Sequence, residues 1–361
     1  MKTIKLMSRF AVALAAVACF SACSDDEAEP EVIIDPGVTR SHSAYVVCNG
    51  GWGKNNGTVA AIDYVDGSFG ASDIYLAANG SGIGDAQDLC LVGKKLFVTS
   101  TTSSKISVLG DDGKLLKQVL LPGVEPRYIV SHDDEVYFTT YSGYVYKMDV
   151  KDYELEDSVK VGDHPEALSV VGNNLYVNVS GYGQGNTVAK VGLEPFKKLE
   201  DITVLLNPYS QSVTDGTSLF FISNGNYYNP DKPFEGMIRN TLQKLDPSTG
   251  KVEQITPATV MAYDASSHSL VCIYADYYAP KEKAAFRYDI ATGQKTDLPE
   301  LLNVPNAGQV SVSSANGDIF VVSDDYISPS TLYVFDMNGK QIRTIPNVGY
   351  SATKVVFWNK R

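Results

Sequence analysis

Four histidines, a scatter of loop carboxylates and a wealth of tyrosine, 22 against 13 phenylalanines, are the residues of this chain with chemistry to offer. A histidine acts through a partner: a nucleophile it deprotonates, a carboxylate that orients it, or a second ligand to a metal. His164, in VGDHPEA, has no such partner at recognisable spacing, and His42, His132 and His268 lie in short polar segments. Asp276, Asp324 and Asp325 would form an acid and base pair only if folding paired them, and their spacing does not ask for it. There is no G-x-S-x-G elbow, no phosphate loop, no H-E-x-x-H and no cysteine beside a histidine. The glycine-rich stretches 80–84 and 181–185 lack the strand-to-helix setting that gives phosphate loops their meaning. Rings and amides are another matter. Trp52, Tyr141, Tyr182, Tyr227, Tyr228, Tyr277, Tyr278 and Tyr326 recur just after apolar runs, with Asn49, Asn224, Asp276 and Asp324 among them. Large aromatic faces with a few amides and carboxylates suit a bulky ligand that is partly apolar and partly polar. These twelve are the candidate ligand-binding residues; no catalytic residue, metal site or cofactor is expected.

What positions them is a repeat. The segment Ala86 to Leu121 holds four short apolar runs (87–92, 95–99, 106–109 and 115–121), each closed by Gly, Ser, Thr or Asp, with Asp112-Gly113 as the clearest hairpin signal. One four-stranded sheet leaves a face open to water, so it must stack on copies. The second run recurs as SAYVVC from Ser43, LFVT from Leu96, VYFT from Val136, LYVNV from Leu175, LFFIS from Leu219, LVCIYA from Leu270 and IFVVS from Ile319. Their spacing of roughly 40 to 50 residues is that of a propeller blade. The third runs end on Asp63, Asp149, Asp246, Asp289 and Asp336, each placed to open a turn. No first run precedes Ser43, whereas SATKVVFW, 351–358, is a first run with nothing behind it. The expectation is an all-β, seven-bladed propeller of four-stranded antiparallel blades, closed by pairing of its N- and C-terminal strands.

A four-stranded meander sorts its loops by parity. Connections after the first and third strands are short turns such as 93–95, 133–135, 172–174 and 315–317. Connections after the second and fourth include 48–57, 77–87, 140–144, 180–186, 223–240, 275–283 and 323–330, which carry the rings and amides to one end of the ring.

Ahead of the repeats, residues 1–22 have a basic start (Lys2, Lys5, Arg9) and an apolar stretch from Phe10 to Phe20, the pattern of a secretory signal. Its end, Phe20-Ser21-Ala22-Cys23, resembles a bacterial lipobox, which implies lipidation at Cys23; Cys19 is a weaker competitor and a soluble periplasmic protein the alternative. Residues 23–42 form an acidic tether too polar to bury a core, and 43–361 the propeller. Removing the leader's three basic residues, with no acid among them, takes the net charge from −12 to −15. That excess argues against a nucleic-acid partner. Cys48, Cys90 and Cys272 are odd in number and lie in apolar runs, so buried free thiols are expected, with a Cys48 to Cys90 bond as the alternative.

The repeats, through Gly172 to Val177 and Leu245 to Lys251, resemble the YncE-type seven-bladed propellers over about residues 43–358. Lipobox, acidic tether (Ser24-Asp25-Asp26-Glu27) and aromatic loop face together resemble surface lipoproteins of the BtuG type. That resemblance implies capture of a corrinoid (cobalamin), delivery to a TonB-dependent outer-membrane transporter, a lipid anchor in the outer membrane facing the exterior, and no enzymatic activity. A glycan-active lyase or hydrolase, and a protein-interaction or adhesion scaffold, are the competing expectations.

Overall fold

The computed structural model describes residues 44–51, 53–65, 68–226, 236–276 and 282–357. Seven four-stranded antiparallel sheets follow one another around an axis. We number the blades 1 to 7 along the chain. Their innermost strands are Ala352–Phe357 in blade 1, Asp88–Val92 in blade 2, Pro126–His132 in blade 3, Pro165–Val171 in blade 4, Pro208–Thr214 in blade 5, Val260–Asp264 in blade 6 and Ala307–Val312 in blade 7. The recurring apolar runs of the sequence are the second strands, fully or nearly fully buried in each blade.

Burial on both faces explains why those second strands lack polar alternation: each is sandwiched between neighbouring blades. Apolar clusters accordingly lie between blades. One joins Val46, Ala60 and Val355 of blade 1 to Phe320, Val322 and Leu332 of blade 7; another joins Phe97, Ile106 and Val108 of blade 2 to Ile129, Val136 and Phe138 of blade 3. Outermost strands such as Leu115–Leu120 and Leu155–Lys160 face solvent along most of their length.

The ring closes as the sequence implied. Ala352–Phe357 pairs antiparallel with Ala44–Cys48, with Ala44 opposite Phe357 and Val46 opposite Val355. Blade 1 is thus built from both ends of the fold, and no strand edge is left between blades 7 and 1.

Four of the five turn aspartates do what their position suggested. Asp149 accepts from Lys151 N and Asp152 N, Asp246 from Ser248 N, Asp289 from Thr292 N, and Asp336 from Asn338 N and Lys340 N. The segment read as a loop from residue 77 begins inside a short helix, Ile74–Asn79, capped by the Asp73 carboxylate on Leu76 N and ended by Gly80 at φ +69°. Cys48, Cys90 and Cys272 are free and buried, so Cys48 and Cys90 are not bonded.

Candidate functional site

The seven innermost strands wall an axial cavity of about 990 Å³. Its lower wall is made of strand residues such as Val130, Ser169, Val213, Ala262 and Ser311. Its mouth lies on the long-loop side, among Gln87, Tyr209, Asn224, Asn226, Asn240, Thr259, Asp276 and Tyr326.

Neighbouring innermost strands cannot hydrogen-bond as a sheet, so side chains clip them together. The Asp88 carboxylate of blade 2 accepts from Ile129 N of blade 3 at 3.0 Å and from Lys354 Nζ of blade 1 at 2.8 Å. Ser169 of blade 4 bonds Ser212 of blade 5 at 2.8 Å. Gln211 of blade 5 accepts from Met261 N of blade 6 at 3.2 Å and donates through Nε2 to Gln309 Oε1 of blade 7 at 2.9 Å. That last bond passes in front of blade 6.

Between blades 3 and 4 the clip is ionic. Arg127 and Glu166, with side chains 6% and 3% exposed, pair at 2.5 Å, and Glu166 also accepts from Ser180 Oγ at 3.0 Å. Burial lifts the Glu166 carboxyl above its usual range, with Arg127 and Ser180 opposing. From this pair a file of rings runs outward. Arg127 donates to the Tyr141 hydroxyl and lies 4.2 Å from that ring's centre. The His164 ring is 5.4 Å from Tyr141 and 5.2 Å from Tyr182, and its Nδ1 is 2.8 Å from Asp163. Tyr182 ends the file 78% exposed, at φ +55°. His164 and Tyr182 both hold left-handed backbone, a strained state for large residues.

The candidate residues of the sequence therefore fall into two groups. Asn224, Asp276 and Tyr326 line the cavity mouth, and Asn49 touches it through Gln87 Oε1 at 3.2 Å. Tyr141 and Tyr182 belong to the ring file and are not among the residues lining the cavity. Asp324 caps its own loop by accepting from Tyr326 N at 3.0 Å, and Asp325 does the same for Ile327 N and Ser328 N. These bonds hold Tyr326 at φ +61°, the residue 80% exposed. Trp52, Tyr227, Tyr228, Tyr277, Tyr278 and Cys23 lie outside the described residues.

Several cavity and file residues escaped the loop argument because they sit on strands: Arg127, Glu166, Tyr209, Gln211, Gln309 and Lys354. A signal was present. Pro126-Arg127, Pro165-Glu166 and Pro208-Tyr209 share a proline opening the innermost strand, followed by a polar or aromatic residue. Among the described residues no cluster of His, Cys, Asp and Glu is arranged to hold a metal ion.

No family model matches the chain, and no curated protein does. Solved structures do. A quinonprotein alcohol dehydrogenase-like protein from Bacteroides thetaiotaomicron superposes with a TM-score of 0.62 at 12% identity, covering 88% of this chain and 78% of that one. Hydrazine synthase from Kuenenia stuttgartiensis gives 0.58 at 15% identity over 79% and 90%. AztD from Citrobacter koseri, in its apo form, gives 0.54 at 14% identity over 88% and 98%. These likenesses show a propeller fold. At such identities they carry no activity across, and their names span unrelated functions.

Proposed function

We propose that this protein is a non-catalytic capture protein that seats a bulky ligand in the long-loop mouth of its axial cavity. The observation that carries the reading is the cavity itself. About 990 Å³ lies at the upper end of small-molecule sites, and its rim is amide and aromatic. Support for binding over turnover comes from the loop carboxylates. Asp324 and Asp325 are occupied in capping turns, and Asp276 is buried and engaged. The glycan-active reading needs two of them free.

The ligand we propose is a corrinoid, on the strength of the resemblance of lipobox, acidic tether and aromatic face to BtuG-type surface lipoproteins. The same resemblance supports a lipid anchor at Cys23 in the outer membrane, an outward-facing location and hand-over to a TonB-dependent transporter. A net charge of −15 after the leader speaks against nucleic acid as partner.

Calorimetric titration of the purified chain with cyanocobalamin tests the reading. Saturable binding without chemical change to the ligand is expected. No heat at micromolar ligand removes the corrinoid, and product formation from a glycan panel removes the non-catalytic assignment.

A further inference from the structure

The hydrogen bonds across the cavity fix which way two glutamine amides point. Met261 N is a backbone donor, so the Gln211 atom facing it at 3.2 Å is the carbonyl oxygen. The Gln211 amino group then faces Gln309, whose carbonyl oxygen accepts at 2.9 Å. Gln309 is left with its amino group in the cavity, and no described residue accepts from it.

A second donor stands at the same level. Gln309 pairs with Val322 and Lys354 with Val47, each one residue short of the end of its blade's second strand, and blades 7 and 1 are neighbours. Lys354, its side chain 40% exposed, spends two ammonium protons on Asp88 Oδ1 and Leu89 O, at 2.8 and 3.2 Å. An ammonium carries three. Both residues line the cavity.

We propose that Gln309 and Lys354 form a donor floor that selects ligands presenting an acceptor oxygen, a carboxylate or a carbonyl, at their leading end. Gln211 is the positioning residue that sets the polarity of this floor. The proposal rests on the capture reading for its site, and it adds the chemistry that site accepts.

The test uses two fragments that share a ring and differ in the tail: benzoate and benzylamine, followed by saturation-transfer NMR on the full chain. Long-range electrostatics favour the cation, because the chain carries a net charge of −12. Preferential retention of benzoate by the wild type is therefore the expected and diagnostic result. Gln309→Met should weaken benzoate about tenfold, as loss of one hydrogen bond to a charged acceptor implies, and leave benzylamine unchanged. Gln211→Glu presents only acceptors to Met261 N and to Gln309, so Gln309 turns its carbonyl outward; that turn and the added negative charge both favour benzylamine, and the preference reverses, an effect that loss of structure would not produce. Lys354→Met should act like Gln309→Met, with melting temperature recorded because it also unpairs Asp88. Preference of the wild type for benzylamine, or benzoate binding untouched by both Gln309→Met and Lys354→Met, overturns the floor. Cyanocobalamin binding that ignores these variants sinks the floor and leaves capture standing; benzoate selectivity without cyanocobalamin binding leaves the floor standing and removes the corrinoid.

Discussion

Removing one partner of the buried Arg127–Glu166 pair is the sharpest test of how the ring file is held. Glu166→Ala leaves a guanidinium that is almost wholly out of water and without its counter-ion. Unpairing a buried charge in this way costs about 3–5 kcal/mol. Arg127 keeps the Tyr141 hydroxyl and two aromatic faces, at 4.2 Å (Tyr141) and 5.3 Å (Tyr128). Such faces return about 1 kcal/mol, so the lower end, about 3 kcal/mol, is expected. At roughly 2 °C per kcal/mol for a chain of this size, the melting temperature should fall by about 6 °C. Urea unfolding followed by circular dichroism, run beside calorimetry, gives both numbers. The double variant Arg127→Met with Glu166→Leu removes both charges and should recover most of the loss. A cost below about 1 kcal/mol for Glu166→Ala, or a double variant no better than the single, would mean that the pair is solvated and the reasoning wrong.

Further expectations concern the mouth, the closure, the thiols and pH. A Cβ on Gly225, which sits at φ +68° between the mouth residues Asn224 and Asn226, would collide with the Ile238 carbonyl, so Gly225→Ala should abolish ligand binding before it abolishes folding, as titration and melting together would show. Val355→Asp puts a carboxylate opposite Val46 in the closing sheet and should cost about 3 kcal/mol or more, read as a lowered urea midpoint. Burial raises the Cys48 and Cys272 thiols to about 12 and lifts Cys90 as well, so none should react with a disulfide reagent in the native state and all three should in urea. Hydrogen bonds from Ser248 and Thr249 hold Asp246 down to about 2, below its unfolded value near 3.9. Its contribution is therefore present above pH 4 and lost as pH falls toward 2; Asp246→Asn should flatten that stretch of a stability-versus-pH curve.

Blade number, strand order and closure were legible because each second strand, from Ala44–Cys48 to Ile319–Ser323, is buried on both faces and so reads as a continuous apolar run. The turn aspartates were legible for the same local reason: an Asp opening a turn needs only backbone two or three residues away. The interior of the ring was not legible. Gln211 meets Gln309 across 98 positions of sequence, and Lys354 meets Asp88 across 266, distances over which no periodicity speaks. Ranking residues by loop also favoured Tyr141 and Tyr182, which the fold places in a file beside the cavity. Asp324 looked like a free carboxylate because an Asx cap and a ligand-binding acid are the same residue in the same kind of loop.

Ala44 and Phe357 face one another across the closing sheet, at the end of blade 1 remote from Asn224, Asp276 and Tyr326. The polypeptide thus enters and leaves the ring on the short-turn side. An affinity tag or a sensor chip coupled through Ala44 or Phe357 is therefore joined to strand ends on the side of the ring away from those mouth residues.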